Sequence, residues 1–150
     1  MTAPSPLTAH LGYWLRLVSN HVSARFADRL DRMGITVAEW VALRLLFDAD
    51  SLPPSQLAAR MGLTRGAVTK LADRLRARGL LARSADADDG RGVRLALTEA
   101  GRALVPALAE AADRNEAEAF AALSAEDRAL LHGLLTRIAT RQGLTAPPLA

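Results

Sequence analysis

LTRGAVTKLADRLRARGLLARSADADDGRGVRLALTEAG, residues 63–101, is the stretch whose reading decides the fold of this chain. Thr64 is a good N-cap, and from there to Arg78 only Gly66, in the first turn, disfavours a helix. Apolar Val68, Leu71 and Leu75 recur at helical spacing, so one stripe is buried. At about 100° per residue, Gly66, Lys70, Asp73 and Ala77 point the other way, with Thr69 and Arg76 on one flank and Arg74 on the other. Gly79 stands where a left-handed residue ends a helix. Leu80 and Leu81 then lead into a polar tip, Asp86 to Gly92, and a strict alternation of Val93, Leu95 and Leu97 follows. That is a hairpin joined to a helix. Thr98 caps the next helix, and Glu99 in its first turn complements the dipole.

Upstream of the stretch, Leu11, Leu15, Val18, Val22, Phe26, Leu30 and Met33 step by three or four residues and predict a long helix from about Leu7 to Gly34. A second face of that helix carries His10, Trp14, Leu17 and His21. Thr36 and Glu39 form a capping box opening a helix that runs to about Phe47 and buries Trp40, Leu43 and Leu46. Pro53 and Pro54 start a short helix to Met61 that buries Leu57 and Ala58. Gly62 turns into Thr64, which completes a helix-turn-helix. Downstream, an alanine-rich helix runs from Thr98 to about Ala122 around Pro106, where a bend or an unpaired carbonyl is expected. Ser124 and Asp127 restart a last helix striped with Leu130, Leu131, Leu134, Leu135 and Ile138, stopped by Gly143 and a Pro-containing end. The first helix and the last two carry apolar faces that one small core cannot cover, and soluble monomers avoid large exposed patches of that kind. A two-fold dimer built from both chain ends is therefore expected.

The chain has 150 residues, half of them hydrophobic, enough for one domain-sized unit with its own core. It has no cysteine, which excludes disulfides and thiol redox sensing. Its formal charge of +3 is unevenly spread: residues 60–102 hold ten basic and five acidic groups, whereas 103–150 hold four and six. The positive excess falls on the helix and hairpin singled out by pattern, and duplex phosphate is its natural partner.

A helix with a buried stripe and a short polar face, followed by an arginine-bearing hairpin, describes a winged helix-turn-helix. The stretch 63–101 resembles the MarR (multiple antibiotic resistance regulator) family of bacterial transcription factors. The resemblance is carried by the recognition helix, by RLRARGLL, by Asp89-Gly90-Arg91 at the hairpin tip and by LTEAG opening the next helix; it extends more weakly over most of the chain. It implies a mostly α fold with a small β-hairpin, in which a helix-turn-helix and wing (about 36–98) is flanked by dimerisation helices (about 7–34 and 99–142) in one unit of 150 residues. It also implies a homodimeric regulator, a repressor, that binds a pseudo-palindromic double-stranded operator. Many relatives carry a basic residue where this chain has Gly90, and Gly92 follows, so the tip is expected to be flexible.

In helix-turn-helix proteins the N-terminal part of the second helix reaches base edges, which selects Thr64, Arg65, Gly66, Thr69 and Lys70. Lys70, the only lysine, can donate to guanine or to phosphate. Arg74 and Arg76 are placed for phosphate, with Asp73 as an ion-pair partner beside Arg74. Arg91 suits the minor groove, the resemblance implies that Asp89 holds it, and Arg94 is read as facing outward from its strand. The resemblance further implies release of DNA by a small aromatic or phenolic effector. His10, Trp14, Leu17 and His21, with Trp40 and Arg44 on the next helix, are the candidate pocket; dimer packing is the alternative reading of the same face.

Three scattered histidines form no metal-ligand spacing. The chain has no nucleophile elbow, phosphate-cradling loop or acid–base pair, so neither an enzyme nor a cofactor is expected. Met1-Thr2-Ala3-Pro4 lacks the pattern of a secretory signal, and no apolar run approaches the roughly 18 residues of a membrane span. A cytoplasmic protein without a membrane partner is expected. The alternative function is a winged-helix protein–protein interaction module without specific DNA binding.

Overall fold

The computed structural model describes residues 1–86, 88, 90 and 92–150. Its elements are α1 (Leu11–Arg32), α2 (Val37–Asp48), α3 (Pro54–Met61), α4 (Arg65–Ala77), β1 (Leu81–Ala85), β2 (Val93–Leu97), α5 (Glu99–Ala119) and α6 (Ala125–Arg141). The fold is mostly helical with one antiparallel hairpin, as expected.

The first helix starts later than its periodicity predicts. Leu7–Ala9 forms a single 3-10 turn, and His10 is extended at φ −96°, ψ 127°. The break lets the Trp14 indole N–H donate to the Thr8 carbonyl at 2.9 Å. The capping box of α2 is present: the Glu39 N–H donates to Thr36 Oγ1 and the Thr36 N–H to the Glu39 carboxylate. Gly34, Gly62 and Gly79 have φ near +70°, a conformation that side chains with a Cβ rarely adopt, and they close α1, α3 and α4.

The core gathers Leu30 from α1, Ile35, Ala42, Leu43 and Leu46 around α2, Leu57, Ala58 and Met61 from α3, and Val68, Leu71, Ala72 and Leu75 from α4. Leu52 and Leu80, Leu81 and Leu95 of the hairpin, and Val105 and Leu108 of α5 complete it. Trp40, expected inside, is only half-buried and meets Phe26 edge-to-face, ring centroids 6.5 Å apart.

The hairpin gains a third partner that periodicity missed. Leu52 and Leu95 exchange backbone hydrogen bonds of 2.9 and 2.8 Å, tying the α2–α3 connection to β2. Leu52 precedes Pro53, and a residue before proline is pushed toward extended backbone. At the other end of the wing, Thr98 Oγ1 donates to the Gly79 carbonyl at 2.6 Å and accepts from the Gly101 N–H. A Cβ on Gly101 would collide with the Leu80 carbonyl, so the glycine of LTEAG permits α5 to pack on the hairpin's base.

The chain ends behave differently. Only the second half of α1 reaches the core; Leu11 is 88 % exposed, and Leu15, Leu17 and Val18 are also exposed. α6 contains no buried residue, and Leu130, Leu134, Leu135 and Ile138 of its stripe lie open. α5 ends at Ala119, three residues before the expected boundary, and carries Pro106 within its length.

Candidate nucleic-acid interface

α4 is built to present one face. Its N-cap Thr64 accepts from the Ala67 N–H at 3.1 Å. Val68, Leu71, Ala72 and Leu75 hold it to the core, which leaves Arg65, Gly66, Thr69, Lys70, Asp73, Arg74 and Arg76 exposed on the outer side. The structure therefore brings Thr64, Arg65, Gly66, Thr69, Lys70, Arg74 and Arg76 together on one surface. Thr69 Oγ1 donates back to the Arg65 carbonyl at 2.9 Å. A Cβ on Gly66 would meet nothing within 4 Å. Nothing among the described residues requires a glycine there, although glycine in a helix costs roughly 0.5–1 kcal/mol relative to alanine.

The basic side chains of residues 60–102 that the structure describes fall into two groups. One group is tied into the fold. Arg78 donates to the Gly34 carbonyl at 2.6 Å and pairs with buried Glu39 at 3.4 Å. Arg102 donates to the Phe47 carbonyl and lies over its ring, 5.2 Å from the centroid. Arg76 pairs with Asp73 at 3.6 Å, so the ion pair expected with Arg74 is made with Arg76 instead, one helical turn on. Arg94 corrects its outward placement most clearly. Nε donates to Ser51 Oγ at 2.6 Å, Nη2 to the Ser51 carbonyl at 2.9 Å, and Nη1 lies 3.5 Å from Asp86. It fastens the wing to the α2–α3 connection.

The second group is Arg60, Arg65, Lys70, Arg74 and Arg83, all exposed and without a hydrogen-bond or ion-pair partner among the described residues. Arg60 and Arg83 were not singled out from sequence. No acidic residue lies three or four positions from Arg60, which was a usable signal. Arg83 needed the fold: it lines, with Asp73, Arg76, Ala77, Leu81 and Ala82, a groove of about 600 Å³ between α4 and β1. Asp89 and Arg91 lie outside the described residues.

The six residues expected to form an effector pocket are not assembled. His10, extended just ahead of α1, and Trp14, Leu17 and His21 on its first half are all exposed. The Arg44 guanidinium is turned to its own helix, 2.8 Å from Asp48 and 5.7 Å over the Phe47 ring. Trp40 alone borders a cavity, whose α1 walls are Ser23 and Phe26 rather than the predicted face. The physical reason is that α1 touches α2 only beyond its midpoint, so its first half faces away from the lobe. No cluster of three metal-ligating side chains exists among the described residues. No helix of the described residues is long and apolar enough to cross a membrane.

Comparison with known proteins places this geometry. The model of the MarR family matches residues 35–93. The uncharacterized HTH-type transcriptional regulator YdgJ of Bacillus subtilis is 30 % identical over 130 residues, covering 87 % of this chain and 77 % of the relative. The HTH-type transcriptional repressor Rv2887 of Mycobacterium tuberculosis is 28 % identical, covering 87 % of this chain and 94 % of its own. Among solved structures, a probable transcriptional regulator from Pseudomonas aeruginosa superposes with a TM-score of 0.76 at 35 % identity, covering 89 % of this chain and 99 % of that one. A mutant MarR from E. coli complexed with operator DNA gives 0.75 at 26 % identity, with 85 % and 92 % coverage. Bordetella bronchiseptica BpsR, whose DNA binding is regulated by 6-hydroxynicotinic acid, gives 0.78 at 28 % identity, with 91 % and 98 % coverage.

Proposed function

The chain belongs to the MarR family of transcriptional regulators, and on that premise we propose that it is a homodimeric repressor that sets two copies of α4 in successive major grooves of an operator. The observation that carries the reading is the division of cations described above. Arg60, Arg65, Lys70, Arg74 and Arg83 are exposed and have no hydrogen-bond or ion-pair partner among the described residues, while Arg78, Arg94 and Arg102 are engaged in holding the lobe together. The E. coli MarR relative solved in complex with operator DNA supports duplex DNA as the partner.

Arg65, Thr69 and Lys70 are assigned to base edges, with Thr64 at the helix N-terminus and Gly66 letting backbone come close to the duplex. Arg60, Arg74 and Arg83 are assigned to phosphate. Arg76 contributes from its pair with Asp73. Arg91 reaches the minor groove, held by Asp89, while Arg94 acts by holding the wing in place. The unpartnered stripes of α1 and α6 join two copies, with residues 7–34 and 99–142 as the dimerisation segments. Two-fold symmetry makes the operator pseudo-palindromic, with half-sites about 10 bp apart. The site of action is the cytoplasm, where such duplexes are found.

A small effector releases the DNA by favouring a dimer arrangement in which the two helices no longer match successive grooves. It does so only through its different affinity for the two arrangements. The 6-hydroxynicotinic acid response of BpsR supports that part of the reading.

The test is selection of bound duplexes from a random pool, followed by titration at several salt concentrations. An enriched inverted repeat whose affinity falls steeply with salt is expected. No enrichment, with weak binding indifferent to sequence, would leave a winged-helix protein-interaction module as the better account.

A further inference from the structure

Every residue of α1 before Val22 is exposed, so the helix leaves the lobe at that point. Polar groups mark the departure. Asn115 of α5 is 5 % exposed and, with Glu39, is one of two buried polar or charged side chains among the described residues. Glu39 serves the α2 cap and Arg78. Asn115 serves α1: its Nδ2 donates to the Val22 carbonyl at 3.3 Å. One turn further along α5, the Glu118 carboxylate receives both Arg25, at 3.1 Å, and Arg29. Val22, Arg25 and Arg29 follow one another at i, i+3 and i+7, and Asn115 and Glu118 at i and i+3, so each set occupies one face of its helix.

The apolar surface beside this clasp fixes register poorly. Ala107 and Ala111 of α5, with Arg29, Arg32 and Met33 at the end of α1, line an open groove of about 260 Å³ between the two helices. Alanine makes shallow ridges, and where side chains interlock weakly a neighbouring helix can turn or slide at small cost. A leucine at 115 would bury apolar surface that the asparagine forgoes. What the amide supplies is direction, because its hydrogen bond forms at one register and a slip leaves a buried donor unpaired. A single buried asparagine fixes register between coiled-coil helices in the same way, with some loss of stability. The exposed pairs to Glu118 add little stability, but they give a second fixed point, which stops α1 from swinging about the first.

We propose that Asn115 and Glu118 are positioning residues that set the spacing between the two DNA-reading lobes. Both stand on α5 against α1, not on the face of α4, and they act through the free part of α1. That part, residues 11–21, is about 16 Å long at 1.5 Å per residue, so a swing of about 10° at Val22 moves its far end by about 3 Å. The rise of one base pair is about 3.4 Å. Across a two-fold interface the same displacement applies to both lobes, so the clasp decides which half-site separation the dimer accepts. The proposal rests on the homodimer reading above.

The chain has no cysteine, so a spin label on Gln56→Cys, exposed on α3, marks one point of each lobe. Double electron–electron resonance on the labelled full-length dimer should give one narrow distance. Asn115→Leu should broaden or split that distance while its thermal transition stays at or above the parent's, a combination that a merely structural asparagine does not produce. Glu118→Arg, a third cation facing Arg25 and Arg29, should also broaden it, and adding Arg25→Glu and Arg29→Glu should narrow it again. On a selected inverted repeat, the unlabelled parent should lose about tenfold in affinity when one base pair is added between half-sites, and Asn115→Leu less than about threefold. A distance as narrow in Asn115→Leu as in the parent, broadening that the restored charges do not rescue, or an unaltered spacer preference overturns the proposal. A lone chain by solution mass defeats the homodimer reading and the spacing with it. The clasp is then decided by a second label on Arg16→Cys, whose distance to the first within one chain should broaden in Asn115→Leu. A dimer that binds no duplex defeats the DNA reading and leaves the distances to decide the clasp.

Discussion

The lobe between Leu30 and Leu108 and the two ends outside it use similar residues to opposite effect. Among the described residues every buried hydrophobic side chain lies in that interval. The first half of α1 and the whole of α6 carry stripes of leucine, valine and isoleucine as regular as those of α2 and α4, and bury none of them. Helical periodicity therefore reports that a face has a partner without saying which molecule supplies it. In the lobe the partner is the neighbouring helix of the same chain. At the ends, a second copy is the proposed partner.

Four measurements break or sharpen that contrast. The largest effect is expected from Leu134→Glu combined with Ile138→Glu. Two carboxylates on the open α6 stripe should weaken self-association about a thousandfold or more, roughly 4 kcal/mol, read by sedimentation equilibrium. An unchanged mass distribution would remove α6 from the interface. Leu46→Ala is the counterpart inside the lobe, where a fully buried side chain is truncated. It should lower the unfolding free energy by about 2–5 kcal/mol in denaturant titrations, through lost transfer energy and the cavity left behind.

Lys70→Ala separates binding from folding. The side chain is exposed, so thermal unfolding and dimer mass should not move. Affinity for the selected operator should fall by about 1–3 kcal/mol, and by much less on random duplex, if Lys70 reads a base. A loss uniform across sequences would assign it to phosphate. The smallest effect is expected from Arg94→Ala, which removes the two donations to Ser51 and the pairing with Asp86. About 1 kcal/mol of stability should go, with a larger proportional loss in protection of the Leu52 and Leu95 amides from hydrogen exchange. Were Arg94 a phosphate contact instead, exchange would be unaltered and the salt slope of DNA binding would flatten by one contact.

Legibility of the fold followed the range of the interactions involved. The α2 capping box, the α4 cap at Thr64, the glycines closing α1, α3 and α4 and the β1–β2 hairpin are all set within a few residues, and each stands where its residues placed it. The outer face of α4 was legible for the same reason: once the buried stripe of Val68, Leu71 and Leu75 is known, that face follows from helix geometry. What misled were charges whose partners are remote in sequence. Arg94 reads as an outward strand residue until Ser51 is brought beside it by the Leu52–Leu95 pairing, 43 positions away. Arg78 likewise reads as a surface charge until Gly34 and Glu39 meet it.

The amino-acid order by itself determined which segments form the helices and the hairpin, because caps, left-handed glycines and periodicity act over one or two turns; only the start of α1 and the end of α5 fell three or four residues from their expected places. It also determined that residues 60–102 carry the positive excess. Tertiary structure decided which of those cations lack a partner among the described residues, and that Phe26 and Trp40 line one cavity with Pro147 and Pro148. Those outcomes depend on contacts between segments far apart along the chain, and no local pattern records which distant side chain will arrive.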